Sequence, residues 1–148
     1  MSTKSLVNHI YMIKDIVKDD FFLAQVSTDA TIDDLYICQD LSDTLNAHRD
    51  HCVGMAANMI GYQKNIIIID DNAKQLIMLN PKVLEVSDET YDTSEGCLSH
   101  SGEKSVTRHT KIKVEYYNQK FQKKTRTFKD FTAQIVQHEL DHLEGILI

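Results

Sequence analysis

Apolar positions toward the end of the chain repeat every three or four residues, a spacing that predicts an amphipathic helix. The stripe expected to face the core consists of Phe131, Ile135, His138 and His142, and a second stripe beside it of Thr132, Val136, Leu140 and Leu143. Asp130 directly precedes both stripes, and aspartate is a residue type that caps helix N-termini. We therefore predict a helix over residues 131–143, capped by Asp130, that turns two histidines toward the core.

An earlier helix and a series of strands follow from the same kind of pattern. Thr31 and Asp34 resemble a capping box, and the apolar spacing after them predicts a helix over about residues 32–48. Apolar runs and alternation predict strands at residues 66–69, 75–79, 82–86, 111–117 and 121–128, the last two as a hairpin. Short connections favour antiparallel pairing, so the predicted fold class is α+β, with antiparallel β-sheets packed around the C-terminal helix.

Two segments fit neither pattern. Residues 1–31 should begin with a short helix and continue through a polar, aspartate-rich stretch. Residues 52–61 are mostly small and include Gly54 and Gly61, which suits a loop whose backbone closely approaches another part of the molecule.

The composition limits the classes of protein to be considered. The 148 residues suffice for one domain, which we place at residues 1–148. A net charge of −6 without a basic stripe argues against direct nucleic-acid binding, and the longest aliphatic run, residues 66–69, is too short to cross a membrane. Three cysteines, and no apolar signal-peptide segment at the N-terminus, predict a cytoplasmic protein without a disulfide framework.

The strongest chemical signal is the H-E-x-x-H pattern of His138, Glu139 and His142. Histidines four residues apart lie on one face of a helix, so both can reach one metal ion, with the glutamate beside a water on that ion. Few residues follow His142, so a third ligand should come from upstream, where Cys97 beside Gly96 in a turn-like segment is the best candidate. The alternatives are a chance match, a hydrogen-bonded histidine pair and a buried structural cysteine.

Three separated segments resemble the motifs of the peptide deformylase family. Residues 95–99 read E-G-C-L-S and residues 137–142 read Q-H-E-L-D-H, as in that family, and residues 53–57, V-G-M-A-A, resemble the core of its first motif. The resemblance extends over about residues 10–148 and implies the family's fold. It also implies a cytoplasmic hydrolase that removes the formyl group from N-formylmethionyl peptides or nascent proteins, with release of formate and transient contact with the ribosome.

The resemblance assigns roles to individual residues. It implies that Cys97, His138 and His142 bind one divalent ion, with Fe²⁺ expected in the cell and Zn²⁺, Ni²⁺ or Co²⁺ in a purified sample. It implies that Glu139 transfers protons and that the backbone N–H of Leu98 donates to the oxyanion of the tetrahedral intermediate.

Other residues are expected around this centre. The substrate-binding residues are expected to be Val53, Gly54, Met59 and Ile135. The substrate methionine should enter an apolar pocket to which Val53, Gly54, Ile135 and His138 contribute. Glu95 should brace its loop with Arg108 as its partner, and a weak surface ion pair is the alternative. Asp141 should either support the ligands or lie in solvent.

The first motif departs from the family pattern at two positions. Cys52 stands in place of its first glycine and is either a buried, inert residue or an oxidation-sensitive thiol near the site. Met59 stands in place of a glutamine whose side-chain N–H stabilises the oxyanion, and a thioether has no such donor. The amide of Asn58 could substitute only if it points the same way. Beyond the cysteine, His100 and Ser101 replace the usual hydrophobic–proline pair.

These departures leave three functional hypotheses. The first is a metal-dependent deformylase, with full or reduced activity. The second is a deformylase-like protein with weak or lost activity, or with another acyl substrate, that acts as a binding or regulatory module, and Met59 supports it. The third is a metallopeptidase, which H-E-x-x-H alone suggests and the segment around Cys97 disfavours.

Overall fold

The computed structural model describes residues 13–148, so the short helix predicted at the start of the chain lies outside the described residues. In chain order the elements are helices α1 (Asp20–Leu23) and α2 (Leu35–Ala47), strands β1 (Gly54–Ala56), β2 (Ile66–Asp71), β3 (Lys74–Val86), β4 (Thr90–Cys97), β5 (His100–His109), β6 (Lys111–Tyr117) and β7 (Lys123–Lys129), and helix α3 (Asp130–Leu143). Short 3₁₀ turns at Ile32–Asp34 and Ala57–Ile60 precede α2 and follow β1.

Five strands form an antiparallel sheet in the order β1-β2-β3-β6-β7, and β4 and β5 form a separate two-stranded ribbon. The four isoleucines at residues 66–69 of β2 are all 0% exposed. Successive strand residues point to opposite faces, so both faces of β2 are covered, and β2 contacts both α2 and α3. This is the predicted arrangement of antiparallel sheets around a C-terminal helix.

The 3₁₀ turn Ile32–Asp34 that leads into α2 begins with the capping box that the sequence predicts, whereas α2 itself begins at Leu35. Thr31 Oγ1 accepts a hydrogen bond from the backbone N–H of Asp33 at 3.3 Å, and Asp34 Oδ2 accepts one from the N–H of Thr31 at 2.8 Å. The reciprocal bonds satisfy two of the donors that a helix start leaves unpaired.

The beginning of α3 differs from the prediction. Asp130 is the first helical residue and Lys129 is the N-cap, and no side-chain cap hydrogen bond forms there. Strand β7 runs into α3 without a loop, and Asp130 makes the turn with φ of 53°, while its N–H donates to the carbonyl of Thr110 at 2.8 Å. Aspartate enters this left-handed region more readily than most residues, so its backbone rather than its side chain starts the helix.

Two predicted strands prove to be one. Residues 75–79 and 82–86 both belong to β3, which changes its register with β6 between Leu79 and Lys82. Pro81 lies in this irregularity and Asn80 has φ of 50°. Proline has no N–H for the ladder, so a bulge is where a strand can contain it.

The ribbon of β4 and β5 was missed by the sequence pattern. Its residues are mostly exposed, so they lack the alternation of apolar and polar residues that marks a half-buried strand. As a result Cys97, predicted in a turn-like segment, is the last residue of β4. Strand β1 likewise lies in the segment predicted as a loop, and at three residues it is too short to show alternation.

Helix α3 packs against β1, β2 and β7. Its buried residues include both histidines of the H-E-x-x-H pattern, as predicted, whereas Phe131 at its first turn is 60% exposed. Within residues 13–148 no helix has the length and apolar character needed to cross a bilayer.

Candidate metal centre and active site

Cys97, His138 and His142 come together from two elements. Cys97 ends β4, and the two histidines lie one turn apart on α3. His142 Nε2 is 3.3 Å from Cys97 Sγ and 3.2 Å from His138 Nε2, and the three ligand atoms all lie within 4.8 Å of one another. The structure therefore groups the three residues that the sequence nominated as ligands.

The donor atoms and their charges fit a divalent transition-metal ion. A thiolate and two imidazoles are the ligands such ions prefer, and three protein ligands leave a coordination position open for water or substrate. Burial alone would lower the pKa of His138, but hydrogen bonds to Cys97 and Glu95 outweigh it and raise the pKa to about 10. Burial and the neighbouring His138 charge lower the pKa of His142 to about 3. The centre thus stabilises positive charge while keeping one imidazole neutral, the form that binds metal.

His138 is oriented by a buried ion-pair network. Its Nδ1 donates to Glu95 Oε1 at 2.7 Å, which leaves Nε2 facing Cys97 and His142. Arg108 donates to both Glu95 oxygens, from Nη2 at 2.7 Å and from Nε at 3.0 Å, and its Nη1 donates to Asp141 Oδ2 at 2.6 Å. Burial would raise the pKa of Glu95, but the hydrogen bonds and charges of His138 and Arg108 lower it to about 2. The predicted Glu95–Arg108 interaction is therefore a buried ion pair, and Asp141 extends it to a network as the second carboxylate partner of Arg108.

Glu139 lies at the buried end of the cavity beside His138. Burial raises the pKa of its carboxyl to about 7, against the opposing charge of His138. Among residues 13–148 its Oε1 has no hydrogen-bond partner. A Cβ on Gly54 would lie 2.8 Å from both Glu139 Oε2 and Ile135 Cγ2, so this glycine permits the close backbone approach predicted from its sequence.

The wall opposite α3 is formed by the segment that departs from the family pattern. Met59 lines the same cavity as Cys97 and Glu139, and its Sδ lies 3.5 Å from the backbone N of Ala56. The neighbouring Asn58 is buried and donates from Nδ2 to the carbonyl of His142 at 2.8 Å. Its side chain thus points to the end of α3, and Asn58 is not among the residues that line the cavity, so it does not substitute for the missing glutamine.

Cys52 occupies the rim of this wall as a half-buried residue that lines the cavity. Its Sγ donates to the carbonyl of Gly54 at 2.8 Å. Burial, with the charge of Glu139 adding to it, raises the pKa of the thiol to about 12. A thiol that stays protonated is a poor nucleophile, which supports the inert alternative for Cys52.

One cavity of about 550 Å³ brings these groups together. Of the residues nominated from the sequence for substrate binding and catalysis, it is lined by Val53, Gly54, Met59, Leu98, Ile135, His138 and Glu139. Val53 and Phe131 are exposed at its rim, and Ile135 is buried deeper on α3. His142 is not among the lining residues, because it lies behind the other two ligands and is 0% exposed.

Two polar contacts at this centre were not foreseen. Gln137 accepts from the backbone N–H of His109 at 2.9 Å and donates to the carbonyl of the same residue at 2.9 Å, which joins β5 to α3. Tyr91 donates from its hydroxyl to Gln134 Oε1 at 2.8 Å, which joins the other strand of the ribbon, β4, to α3. Gln137 is 9% exposed, so its amide needs hydrogen-bond partners, but the residue that supplies them, His109, is remote in sequence.

Comparison with known proteins agrees with this geometry. Residues 13–148 match the family model for polypeptide deformylase. A peptide deformylase from Clostridium beijerinckii is 47% identical over 137 residues, which cover 93% of this chain and 100% of that protein. Peptide deformylase 2 from Clostridium perfringens is 37% identical over 114 residues, 75% of this chain and 72% of that protein.

Solved structures give the same answer for the fold. A class I type b peptide deformylase from Acinetobacter baumannii has a TM-score of 0.84 at 30% identity, covering 91% of this chain and 96% of that one. The peptide deformylase from Thermotoga maritima has a TM-score of 0.83 at 28% identity, covering 91% and 94%. These comparisons bear out the fold class and the family resemblance read from the sequence, and the chain belongs to the peptide deformylase family.

Proposed function

We propose that this chain hydrolyses the formyl amide of N-formylmethionyl peptides, releases formate and leaves a free amino terminus. The observation that carries the proposal is the cluster of Cys97, His138 and His142, which lies at one cavity together with the buried carboxylate of Glu139; Cys97, His138 and Glu139 line that cavity. The related enzyme from Acinetobacter baumannii was crystallised with Met-Ala-Ser bound, a tripeptide with methionine at its amino end.

In this proposal the ion would be held by Cys97 Sγ and by the Nε2 atoms of His138 and His142. When bound, the ion lowers the pKa of a coordinated water toward neutrality and polarises the formyl carbonyl. The donor set suits Fe²⁺, Zn²⁺, Ni²⁺ or Co²⁺, and we propose Fe²⁺ as the ion in the cell. Glu95, held by Arg108, keeps the ring of His138 in the orientation that ligation needs.

Glu139 moves the proton in this scheme. Its Oε1 has no partner among residues 13–148, so it is available to accept a proton from the attacking water. The water oxygen forms a bond to the formyl carbon, the carbon–nitrogen bond of the amide then breaks, and the same carboxyl gives its proton to the departing amine nitrogen, which leaves formate and a free amine. Burial keeps bulk water away from this transfer, and α3 fixes the carboxyl next to His138.

The oxyanion would receive fewer hydrogen bonds than in a site with the family's glutamine. The backbone N–H of Leu98, which follows Cys97 at the cavity wall, is the donor that we assign to it. Met59 adds none, because a thioether has no hydrogen to donate. One missing donor typically lowers the rate by about 10²–10³, so we expect slow turnover rather than none.

The methionine side chain would lie against the apolar part of the cavity. Val53, Gly54 and Ile135 line it, and Phe131 stands exposed at the rim where a peptide would enter. An unbranched thioether side chain adapts well to such a surface.

We propose that the substrate is a nascent chain met in the cytoplasm, during transient contact with the ribosome.

The direct test is formate release. The protein is loaded anaerobically with Fe²⁺ or Ni²⁺, its metal content is measured, and release is followed from formyl-Met-Ala-Ser. We expect release above the metal-free blank. Glu139→Ala should lower the rate by about 10²–10⁴ without changing metal content, because proton transfer is lost and the ligands remain.

Glu144→Ala is the matched control, since Glu144 is an exposed glutamate just beyond the end of α3 and should leave the rate unchanged. Full metal content with release equal to the blank would support the binding or regulatory alternative instead. Cleavage of internal peptide bonds in casein would support the metallopeptidase.

A further inference from the structure

His100 stands in place of a hydrophobic residue of the family pattern, and the proposed chemistry does not use it. It is the first residue of β5, and its side chain is largely buried. Its Nδ1 lies 2.8 Å from the backbone carbonyl oxygen of Ile148, and its Nε2 lies 3.0 Å from Asp20 Oδ1. Both partners are hydrogen-bond acceptors, so whichever ring nitrogen carries a proton has an oxygen to donate to. The ring is therefore held in one orientation from two sides.

The two partners lie in segments that are remote from His100 in sequence. Asp20 is the first residue of α1, and Ile148 belongs to the segment that follows α3. A second residue of β5, Lys104, donates to the carbonyl of Leu147 at 2.8 Å, so this segment runs beside β5. His100 is thus a point at which three parts of the fold meet: the ribbon, α1 and the segment after α3.

The turn that precedes His100 carries two groups of the proposed centre. Strands β4 and β5 are joined by Leu98 and Ser99 alone, and Cys97 and His100 are the pair that closes this turn. Cys97 is a proposed ligand, and the backbone N–H of Leu98 is the donor that we assign to the oxyanion. The length of a turn fixes how the residues of a hairpin lie relative to one another, so a shift of His100 would move both groups.

The ribbon alone cannot hold this turn firmly. A two-stranded hairpin is marginally stable by itself, and most residues of β4 and β5 are exposed. The pairing also changes register between Gly96 and Cys97. The Glu95–Arg108 ion pair anchors the strands on one side of this irregularity, and the contacts of His100 anchor the turn on the other side.

We propose that His100 is a positioning residue: its contacts with Ile148 and Asp20 hold the turn where Cys97 Sγ reaches the metal ion and the Leu98 N–H reaches the oxyanion. The part about the oxyanion rests on the proposed function, and the part about the metal does not. Groups that orient a ligand from outside typically contribute about 10- to 100-fold to metal affinity or activity. His100 takes no part in the chemistry itself, so its loss should lower kcat and leave KM nearly unchanged.

The first measurement examines the metal site without turnover. Wild-type protein and His100→Ala are loaded with Co²⁺, the thiolate-to-cobalt absorption band is recorded, and the dissociation constant is measured by chelator competition. We expect His100→Ala to shift the band, because the sulfur of Cys97 moves, and to weaken binding by about tenfold. At full Ni²⁺ content, kcat for formate release from formyl-Met-Ala-Ser should fall by about tenfold or more, with KM changed by less than about twofold.

Two further variants separate the contacts of the ring from its bulk. In His100→Asn the amide nitrogen can take the place of Nδ1 and donate to the carbonyl of Ile148, so this variant should restore the band and most of the affinity. Asp20→Ala removes the other partner, whose side chain is exposed, and should shift the band in the same direction by a smaller amount.

His48→Ala is the matched control, because His48 Nδ1 likewise lies 2.9 Å from a backbone carbonyl oxygen, that of Thr44, at the end of α2. It should keep the wild-type band, affinity and kcat. A wild-type band and affinity in His100→Ala would overturn the inference, and so would equal changes in His100→Ala and His100→Asn. No formate release from the wild-type protein at full metal content would remove the proposed function, while the band and the affinity would still decide the role of His100 at the metal.

Discussion

The two walls of the cavity differ in how they are built. The wall made by α3 and the end of β4 brings three ligand side chains together and braces one of them through Glu95 and Arg108. The facing wall, residues 52–59, offers the cavity a thiol, a thioether and close backbone, and the one side-chain amide in it is turned toward the end of α3. Metal binding therefore depends on the wall of α3 and β4 and not on the facing wall. Turnover needs Glu139 on that same wall of α3 and β4, but it can also be altered from the facing wall without a change of metal ligands.

The wall made by α3 and the end of β4, which we call the bracing wall, contains the interactions whose loss should destabilise the fold most. Arg108 is 5% exposed and contacts two carboxylates, one of them on Glu95, which is 8% exposed. Taking such ions out of water costs several kcal/mol each, so the network is stable only while its partners are all present.

Arg108→Met should produce the largest change. It leaves the buried Glu95 carboxylate without its bidentate partner, and we expect unfolding to become easier by about 3–5 kcal/mol, as urea denaturation would measure. Arg126→Met is the control, because Arg126 pairs with Asp71 at the surface with its side chain 42% exposed, and its loss should cost less than about 1 kcal/mol. An equal loss in the free energy of unfolding for the two variants would show that the buried network around Arg108 stabilises the fold no more than a surface ion pair does.

Met59→Gln tests the facing wall. It restores a side-chain N–H to the oxyanion position, where one donor is worth about 10²–10³ in rate, and we expect kcat for formate release to rise at least about tenfold. Metal content should not change, because Met59 supplies no ligand. Met59→Leu, of similar size but without a donor, should give no rise. If both variants behave alike, the thioether is not what limits turnover.

The sequence predicted the bracing wall better than the facing wall, for a physical reason. His138 and His142 share one helix, and helical periodicity alone places them on the same face. Cys97 lies on another element, so periodicity cannot bring it to them. Its glycine-flanked segment made it the best upstream candidate, and the resemblance to a known family supports the same choice. The consequence of Met59 was also visible, because the absence of a donor is a property of the residue type.

Features that depend on tertiary contacts were not predictable. The exposed ribbon of β4 and β5 has no apolar alternation, and the Gln137–His109 clamp joins residues that only the folded chain brings together. Asp130 was assigned as a cap because its side chain suits one, but a direct strand-to-helix turn used its backbone instead. The orientation of Asn58 likewise became known only from its hydrogen bond to His142.

Glu95→Gln separates orientation of a ligand from stability of the fold. A neutral amide accepts a weaker hydrogen bond from His138 Nδ1, so we expect metal affinity to fall by about 10- to 100-fold, as chelator competition would measure. Asp92→Asn is the control on the same strand, since Asp92 is exposed and accepts a hydrogen bond from Thr107 at 2.6 Å, away from the ligands. An unchanged affinity in Glu95→Gln would mean that packing alone orients His138.

Gly54→Ala is expected to have the smallest effect, and it tests how closely the facing wall approaches Glu139. The new methyl would lie 2.8 Å from Glu139 Oε2 and Ile135 Cγ2, whereas in Gly96→Ala the nearest atom is 3.8 Å away. Both atoms near Gly54 are ends of side chains that can shift, so the cost to folding should be near the lower end of overpacking, about 1 kcal/mol. The shift moves the proton-transferring carboxylate, and formate release should fall by about tenfold at unchanged metal content. Gly96→Ala should change neither quantity, and a loss of metal in Gly54→Ala would show that the two walls are not independent.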